Sequence, residues 1–151
     1  MHTITQGACY KEFLKYFKKL KEDVGIDDMS IANFMYQGED FLNEEYYDDE
    51  IGSAYLLYVY VDNTIVGHMM MNFNDDDTSI FEDKYEYVLS SIFISRSYRM
   101  MGLASSLIKY AKELYGSEGI IAQPVNKGVR RFFVKNSFPI IDINVVAHKS
   151  V

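Results

Sequence analysis

Cysteine, proline and tryptophan are nearly missing from this sequence. Cys9 is the one cysteine, so neither a disulfide within the chain nor a cysteine-rich zinc site can form. The two prolines, Pro124 and Pro139, lie far apart, and no Gly/Ser-rich stretch or internal repeat marks a linker. No apolar run approaches the roughly 18 residues that a membrane-spanning helix needs. The opening Met1-His2-Thr3-Ile4-Thr5 lacks the basic-then-apolar layout of a signal peptide. The expectation is a reducing, cytoplasmic compartment with no membrane partner. Basic residues are scarce in the middle of the chain: residues 39–86 hold Lys84 alone against fourteen acids.

What is present is globular. With 48% hydrophobic, 15% aromatic and 25% charged residues over 151 positions, a disordered chain is excluded and one domain is expected. A chain of this length buries roughly two-thirds of its unfolded surface and needs no covalent staple. The net charge of −7 speaks against a nucleic-acid partner. Its distribution says more. Residues 1–38 balance, residues 39–86 carry −13, and residues 87–151 carry +6. Such a division suits two unlike partners, one cationic and one anionic. The plain alternative is a solvated acidic surface that keeps the protein in solution.

The apolar spacing gives the element order. Tyr10, Phe13, Leu14, Phe17 and Leu20 form one stripe of a helix over residues 9–22. The lysines opposite them read as a solvated face. A second short helix is expected from Met29 to Tyr36, closed by Gly38, then an acidic connection over 39–50. Residues 54–61 are β-branched and aromatic, hence a strand. Asp62-Asn63 suits a tight hairpin turn, and Thr64 to Phe73 returns as its partner. Asp75-Asp76-Asp77 reads as a turn, and a third strand runs from Tyr85 to Ser95. The period then becomes helical through Leu103, Leu107 and Leu114, with Gly116 as the stop. A strand at Gly119–Ala122, a helix at Asn126–Asn136 and one final strand, Ile140–Ala147, complete the order. The fold class is α/β (α+β): a mixed sheet with helices on its faces, in a single domain.

The most informative stretch runs from Ser91 to Leu107. A strand feeds a tight turn, and the turn opens a helix. The first turn of that helix offers unpaired backbone N–H groups and the positive end of the helix dipole. Together these make an anion site suited to a phosphate or pyrophosphate. Gly102 admits a ligand close to the backbone, Ala104 keeps the next turn small, and Arg99 adds a positive charge. The Gly-x-x-x-x-Gly-Lys of a triphosphate loop and the dinucleotide Gly-x-Gly-x-x-Gly are both missing.

This arrangement resembles the GNAT superfamily of acetyl-CoA-dependent N-acetyltransferases. Their phosphate turn reads Gln/Arg-x-x-Gly-x-Gly/Ala between a strand and a helix, as Arg99-Met100-Met101-Gly102-Leu103-Ala104 does here. A second family signature is a strand, an Asn, and a helix ending aromatic-Tyr-x-Lys-x-Gly-Phe. Here it is matched by Ile120-Ile121-Ala122, Asn126 and Phe132-Phe133-Val134-Lys135-Asn136-Ser137-Phe138. The resemblance covers residues 54–147 in element order and is specific over 87–138. It implies a GNAT-like, mostly antiparallel sheet flanked by helices, with residues 87–138 as the acetyl-CoA-binding core. Residues 1–50 would be the variable helical side that meets the acceptor. Three positions depart from the family pattern. Arg96 replaces a common proline, Ser137 replaces the glycine of Gly-Phe, and Phe133 stands where many members carry a general-acid tyrosine. A single strand after the last helix would leave the sheet one strand short of the usual two.

The resemblance implies an amine attacking the thioester of acetyl-CoA, with no metal. Met100, Met101, Gly102, Leu103, Ala104 and Ser105 would hold the pyrophosphate through backbone N–H groups, beside Arg99. The strand edge Ile92, Phe93 and Ile94 would pair with the pantetheine amides as an added strand. A backbone N–H there, Ile94 in particular, would stabilise the oxyanion. Asn126 would bond the pantetheine arm, and Lys135, Arg130 or Arg131 would meet the 3′-phosphate. Phe133 lies in the same cofactor set. Glu86 is the preferred general base, with Glu82 and Asp83 next. Tyr98, or a hydroxyl such as Ser90, would stand in for the missing acid. His68 faces either the core or the cleft. The expected partners are acetyl-CoA and a cationic amine, small molecule or protein, with no nucleic acid, the chain being a monomer or homodimer. Two other readings remain open at this level: an acyl-CoA-binding protein with little or no turnover, and an acidic protein-interaction module.

Overall fold

The computed structural model describes residues 2–23, 31–47, 56–74, 85–124, 126–142 and 144–150. In chain order its elements are β1 (His2–Gln6), α1 (Tyr10–Asp23), α2 (Ala32–Phe41), α3 (Glu44–Tyr46), β2 (Leu56–Val61), β3 (Thr64–Phe73), β4 (Tyr87–Ile94), a 3-10 turn (Arg96–Tyr98), α4 (Leu103–Tyr115), β5 (Ile120–Ala122), α5 (Lys127–Lys135), β6 (Ile140–Asp142) and β7 (Val145–His148). The strands form one mixed, mostly antiparallel sheet in the order β1-β2-β3-β4-β5-β7-β6. This is the expected α+β domain. The chain forms two compact units, Met1–Met70 with Ser91–Leu107, and Met71–Ser90 with Ile108–Val151.

The first unit is built on aromatic packing. The α1 stripe turns Phe13, Phe17 and Leu20 into the core, with Tyr16 beside them, and leaves Lys11, Lys15, Lys18, Lys19 and Lys21 in solvent. Phe13 stacks on Tyr47 at 4.6 Å and on Phe17 at 5.5 Å, and meets Phe34 and Phe41 edge-on. Burying each such ring is worth about 1.5–3 kcal/mol, with about 0.5–1.5 kcal/mol more for each aromatic pair. The β2–β3 hairpin turns on Asp62 and Asn63, at φ 51° and 64°. That pair of positive φ values is the geometry Asp and Asn tolerate best after glycine. The β2–β3 register then shifts between Val59 and Tyr60, a bulge in the ladder.

Gly38 does not close the second helix. α2 begins at Ala32 and continues through Gly38 to Phe41. The reason is tertiary. A Cβ at Gly38 would lie 2.8 Å from Cζ and 2.9 Å from Cδ2 of Phe17, a ring that is fully buried. Glycine is there so that α1 and α2 can approach closely, and not because the chain stops being helical. Gly38→Ala gains about 1 kcal/mol in helix propensity and loses about 1–3 kcal/mol to overpacking. The expected outcome in differential scanning calorimetry is a Tm lowered by a few degrees. A Tm at or above that of the parent would remove the close-approach explanation.

The second unit carries the parallel β4–β5 pairing, Tyr87 opposite Ile120 and Val88 opposite Ile121. β5 also pairs antiparallel with β7, and β7 with β6. The expectation of one final strand is corrected here. Two strands follow α5, with Asn144 between them at φ 90°. An alternating run that looks continuous in sequence is split by a residue type that accepts positive φ. α5 is capped by the Asn126 side chain, which accepts from the Val129 N–H at 2.9 Å. Tyr87 packs on Tyr115 at 4.7 Å, and Phe133 on Phe138 at 5.3 Å.

Candidate functional site

The end of β4, the turn and the start of α4 form one continuous segment of the first unit. Phe93 and Ile94 are buried and Ile92 is half-buried. The Ser95 N–H donates to the Val66 carbonyl at 2.7 Å, which ties the end of β4 to β3. The 3-10 turn follows, with the Tyr98 N–H donating to the Ser95 carbonyl at 2.9 Å. Tyr98 is half-buried there. Gly67 on β3 lets β4 come close. A Cβ at that position would lie 2.6 Å from Ile94 Cδ1 and 2.7 Å from the Phe93 carbonyl oxygen.

Arg99 is anchored. Its Nε donates to the Ile94 carbonyl at 2.8 Å, and its guanidinium lies 5.1 Å over the Phe93 ring. The chain then turns through Met100 at φ 67° and Gly102 at φ 78°. Both methionines, Met100 and Met101, are exposed. The helical ladder of α4 opens with the Ser106 N–H donating to the Gly102 carbonyl at 3.0 Å, and the Ser106 hydroxyl reaches the same carbonyl. The amides of Leu103, Ala104 and Ser105 therefore precede the ladder, at the positive end of a 13-residue helix. A Cβ on Gly102 would meet nothing within 4 Å. An anchored guanidinium, a turn with positive φ and leading amides beside open space make a site suited to a phosphate group.

Glu86 lies in the second unit with its side chain exposed. Its carbonyl accepts from the Asn74 N–H at 2.8 Å, and its N–H donates to the Glu118 carbonyl at 3.0 Å. Ser90 donates to the Asn72 side-chain oxygen. Asn126 is exposed and spends its side-chain oxygen on the α5 cap. Lys135 and Arg131 are exposed and Arg130 is half-buried on α5, while Phe133 is buried. Glu82, Asp83, Asp48, Asp49 and Asp75 to Asp77 lie outside the described residues. Among the described residues no group of three His, Cys, Asp or Glu side chains could hold a metal ion. No helix among them is long and apolar enough to cross a membrane.

One arrangement has no signature in the sequence. His68, on β3, is fully buried. Its Nδ1 lies 2.6 Å from the Tyr16 hydroxyl and its Nε2 lies 2.8 Å from the Ser91 hydroxyl. Burial pushes the imidazole pKa down to about 3, so the ring is neutral near pH 7. Burial also raises the Tyr16 phenol well above its ordinary value. Of the two settings open to His68 from its sequence, the structure selects the core.

Comparison with known proteins bears on the same segment. The family model described as the acetyltransferase (GNAT) family matches residues 22–138. No curated protein matches the chain. Among solved structures, a GNAT-family acetyltransferase from Bacillus cereus is 21% identical with a TM-score of 0.63, over 100% of this chain and 99% of that one. The Bacillus subtilis N-acetyltransferase YlbP, solved in complex with coenzyme A, is 15% identical with a TM-score of 0.62, over 99% and 97%. Arabidopsis thaliana Naa50, in complex with the bisubstrate analogue CoA-Ac-MVNAL, is 18% identical with a TM-score of 0.63, over 99% of each chain.

Proposed function

This chain belongs to the acetyltransferase (GNAT) family, and on that premise we propose that it transfers the acetyl group of acetyl-CoA to a primary amine of a cationic small molecule or protein. The observation that carries the reading is the turn from Arg99 to Gly102 with the leading amides of α4. Its donors are backbone N–H groups and a guanidinium, which is the chemistry a pyrophosphate requires. Open space at Gly102 supplies room for it. Coenzyme A in the complex of the Bacillus subtilis relative supports the same ligand here. Bound acetyl-CoA supplies a thioester, the activated acyl group. The chain's own residues hold and orient it: Leu103, Ala104 and Ser105 through their amides, Arg99 by charge, and Ile92 to Ile94 along the strand.

Glu86, exposed at the entrance to β4, takes the proton of the acceptor amine, directly or through water. Phe133 has no proton to give. Tyr98, in the turn beside Arg99, is the nearest phenol in sequence to serve the leaving thiolate. A thiol of pKa about 8.5 also leaves tolerably without help, so turnover survives the phenylalanine at a lower rate. Exposed Cys9 fits a reducing, cytoplasmic setting. The CoA-Ac-MVNAL complex of the Arabidopsis relative supports keeping peptides among the acceptors.

Release of CoA thiol with a panel of polyamines, aminoglycosides, amino acids and peptides is the direct test. Cationic acceptors should lead the panel, because residues 39–86 carry −13 and clustered carboxylates focus a field that isolated pairs do not. Glu44 and Glu45 are exposed at the head of α3. Changing Glu44, Glu45, Asp48 and Asp49 together to their amides should raise KM for a cationic acceptor several-fold and leave CoA affinity unchanged. The difference should shrink as salt rises, since screening at about 0.15 M acts over about 8 Å. An unchanged KM would make these acids a solubility surface. No thiol release with any amine, together with a CoA-induced rise in Tm, would instead identify a CoA-binding protein without turnover.

A further inference from the structure

The buried residues Tyr16, His68 and Ser91 form a hydrogen-bonded chain that runs from α1 through β3 to β4. We propose that this chain is a positioning device for the end of β4, holding Ile92 to Ile94 where the acyl donor is to lie. Its functional consequence rests on the acetyltransferase reading above.

The chain has a fixed direction. A neutral imidazole has one donor and one acceptor nitrogen. The Tyr16 phenol stays protonated because burial raises its pKa. Nδ1, 2.6 Å away, is the one hydrogen-bond partner of this buried hydroxyl among the described residues, so the hydroxyl donates to it. That leaves the proton on Nε2, which donates to the Ser91 oxygen at 2.8 Å. All three side chains are at most 4% exposed. In such surroundings an unpaired polar group is costly, so each member holds the next in place.

The ring contacts extend the hold toward the turn. Phe34 stacks on His68 at 3.9 Å with 24° between the planes, and Phe93 follows at 6.4 Å and 29°. Phe93 lies beneath the Arg99 guanidinium at 5.1 Å, and Arg99 Nε reaches the Ile94 carbonyl. The end of β4 is thus gripped twice. His68 holds Ser91 by a hydrogen bond and touches Phe93 by its ring, while Arg99 holds Phe93 and Ile94 from the turn. The end of β4 pairs with β3, where the Ser95 N–H reaches the Val66 carbonyl, and these side chains add a hold to that backbone pairing. A hydrophobic side chain at position 68 would fill the space but would take away this partner of the Ser91 hydroxyl.

The test uses Tyr16→Phe and Ser91→Ala, each of which removes one hydroxyl and keeps the core shape, and Ser91→Thr, which keeps the hydroxyl. Two readouts are taken on the whole chain. Native-state amide exchange of Ile92, Phe93 and Ile94 in the free protein should speed up at least tenfold in Tyr16→Phe and Ser91→Ala. Exchange at Leu107 and Ile108 in α4 should stay within twofold. In turnover assays kcat should fall at least fivefold with KM for acetyl-CoA within twofold, because the pyrophosphate turn is untouched. Ser91→Thr should stay within twofold of wild type in both. A merely structural role would lower Tm and raise exchange evenly, with kcat unchanged well below Tm. Exchange at Ile92 to Ile94 within twofold of wild type in both hydroxyl-deleted variants would overturn the proposal, as would an unchanged kcat. Should the wild-type protein release no thiol with any amine, the acetyltransferase reading fails, and amide exchange alone decides whether the anchor exists.

Discussion

Gly102→Glu should abolish the CoA-induced rise in Tm while leaving the Tm of the free protein close to that of the parent. The two halves of this expectation have separate causes. Gly102 sits at φ 78°, and a Cβ there meets nothing within 4 Å. A Cβ is admitted without a clash, and the cost is the left-handed backbone, roughly 1–2 kcal/mol. A carboxylate at the head of α4 recovers about 0.3–1 kcal/mol from the helix dipole. Folding is therefore affected little. Binding is affected greatly, because the same carboxylate occupies the amides a pyrophosphate would use and repels its charge. A loss of at least a hundredfold in CoA affinity, read by calorimetry or thermal shift, is the expected size. Gly102→Ala separates strain from charge. It carries the backbone cost without the carboxylate and should keep most of the CoA response. Equal loss in the alanine and glutamate variants would mean that turn geometry alone governs affinity. Unchanged affinity in Gly102→Glu would place the CoA site elsewhere.

The elements legible in the sequence were those whose side-chain pattern and backbone chemistry agree. The α1 stripe is one, since Phe13, Phe17 and Leu20 are buried. The Asp62-Asn63 turn is another, with both residues at positive φ. α4 runs Leu103–Tyr115 and Gly116 follows it, as the helical period indicates. The elements that escaped were decided by tertiary contacts. β1 is five residues long, with no buried member, so it has no inward pattern to read and exists through its ladder with β2. Gly38 looks like a helix stop and is a helix–helix contact. The β6–β7 corner at Asn144 lies inside what looks like one apolar run. The phosphate-suited turn was visible because its parts are contiguous from Ser91 to Leu107. Tyr16, His68 and Ser91 were not visible as a group. Their positions are 52 and 23 residues apart in the chain, and it takes the contact of α1 with β3 and the pairing of β3 with β4 to bring them together.

Acid should weaken the protein in a window that His68 defines. The folded pKa of His68 is lowered to about 3 by burial, against about 6.5 in an unfolded chain. Among the described residues its hydrogen-bond and ring partners are Tyr16, Ser91, Phe34 and Phe93, none of them charged. Above pH 6.5 the imidazole is neutral in both states and contributes no pH dependence. Below pH 6.5 the unfolded chain takes a proton that the folded chain refuses, so stability falls with pH. The slope is about 1.4 kcal/mol per pH unit and persists down to about pH 3. Between pH 7.5 and pH 5 the loss is about 2 kcal/mol, in a range where most carboxylates remain ionised. At about 2–4 °C per kcal/mol for a chain of this size, Tm should drop by about 4–8 °C. His148, whose pKa burial also lowers against a weaker opposing hydrogen bond to the Ser137 carbonyl, adds a smaller loss of the same sign. His68→Gln removes the titrating group and keeps a donor and an acceptor. Its Tm should be lower at pH 7.5 and should fall far less on going to pH 5. A parent Tm constant to within a degree over that range would mean that His68 takes its proton in the folded state. The Tyr16–His68–Ser91 chain would then be open to water.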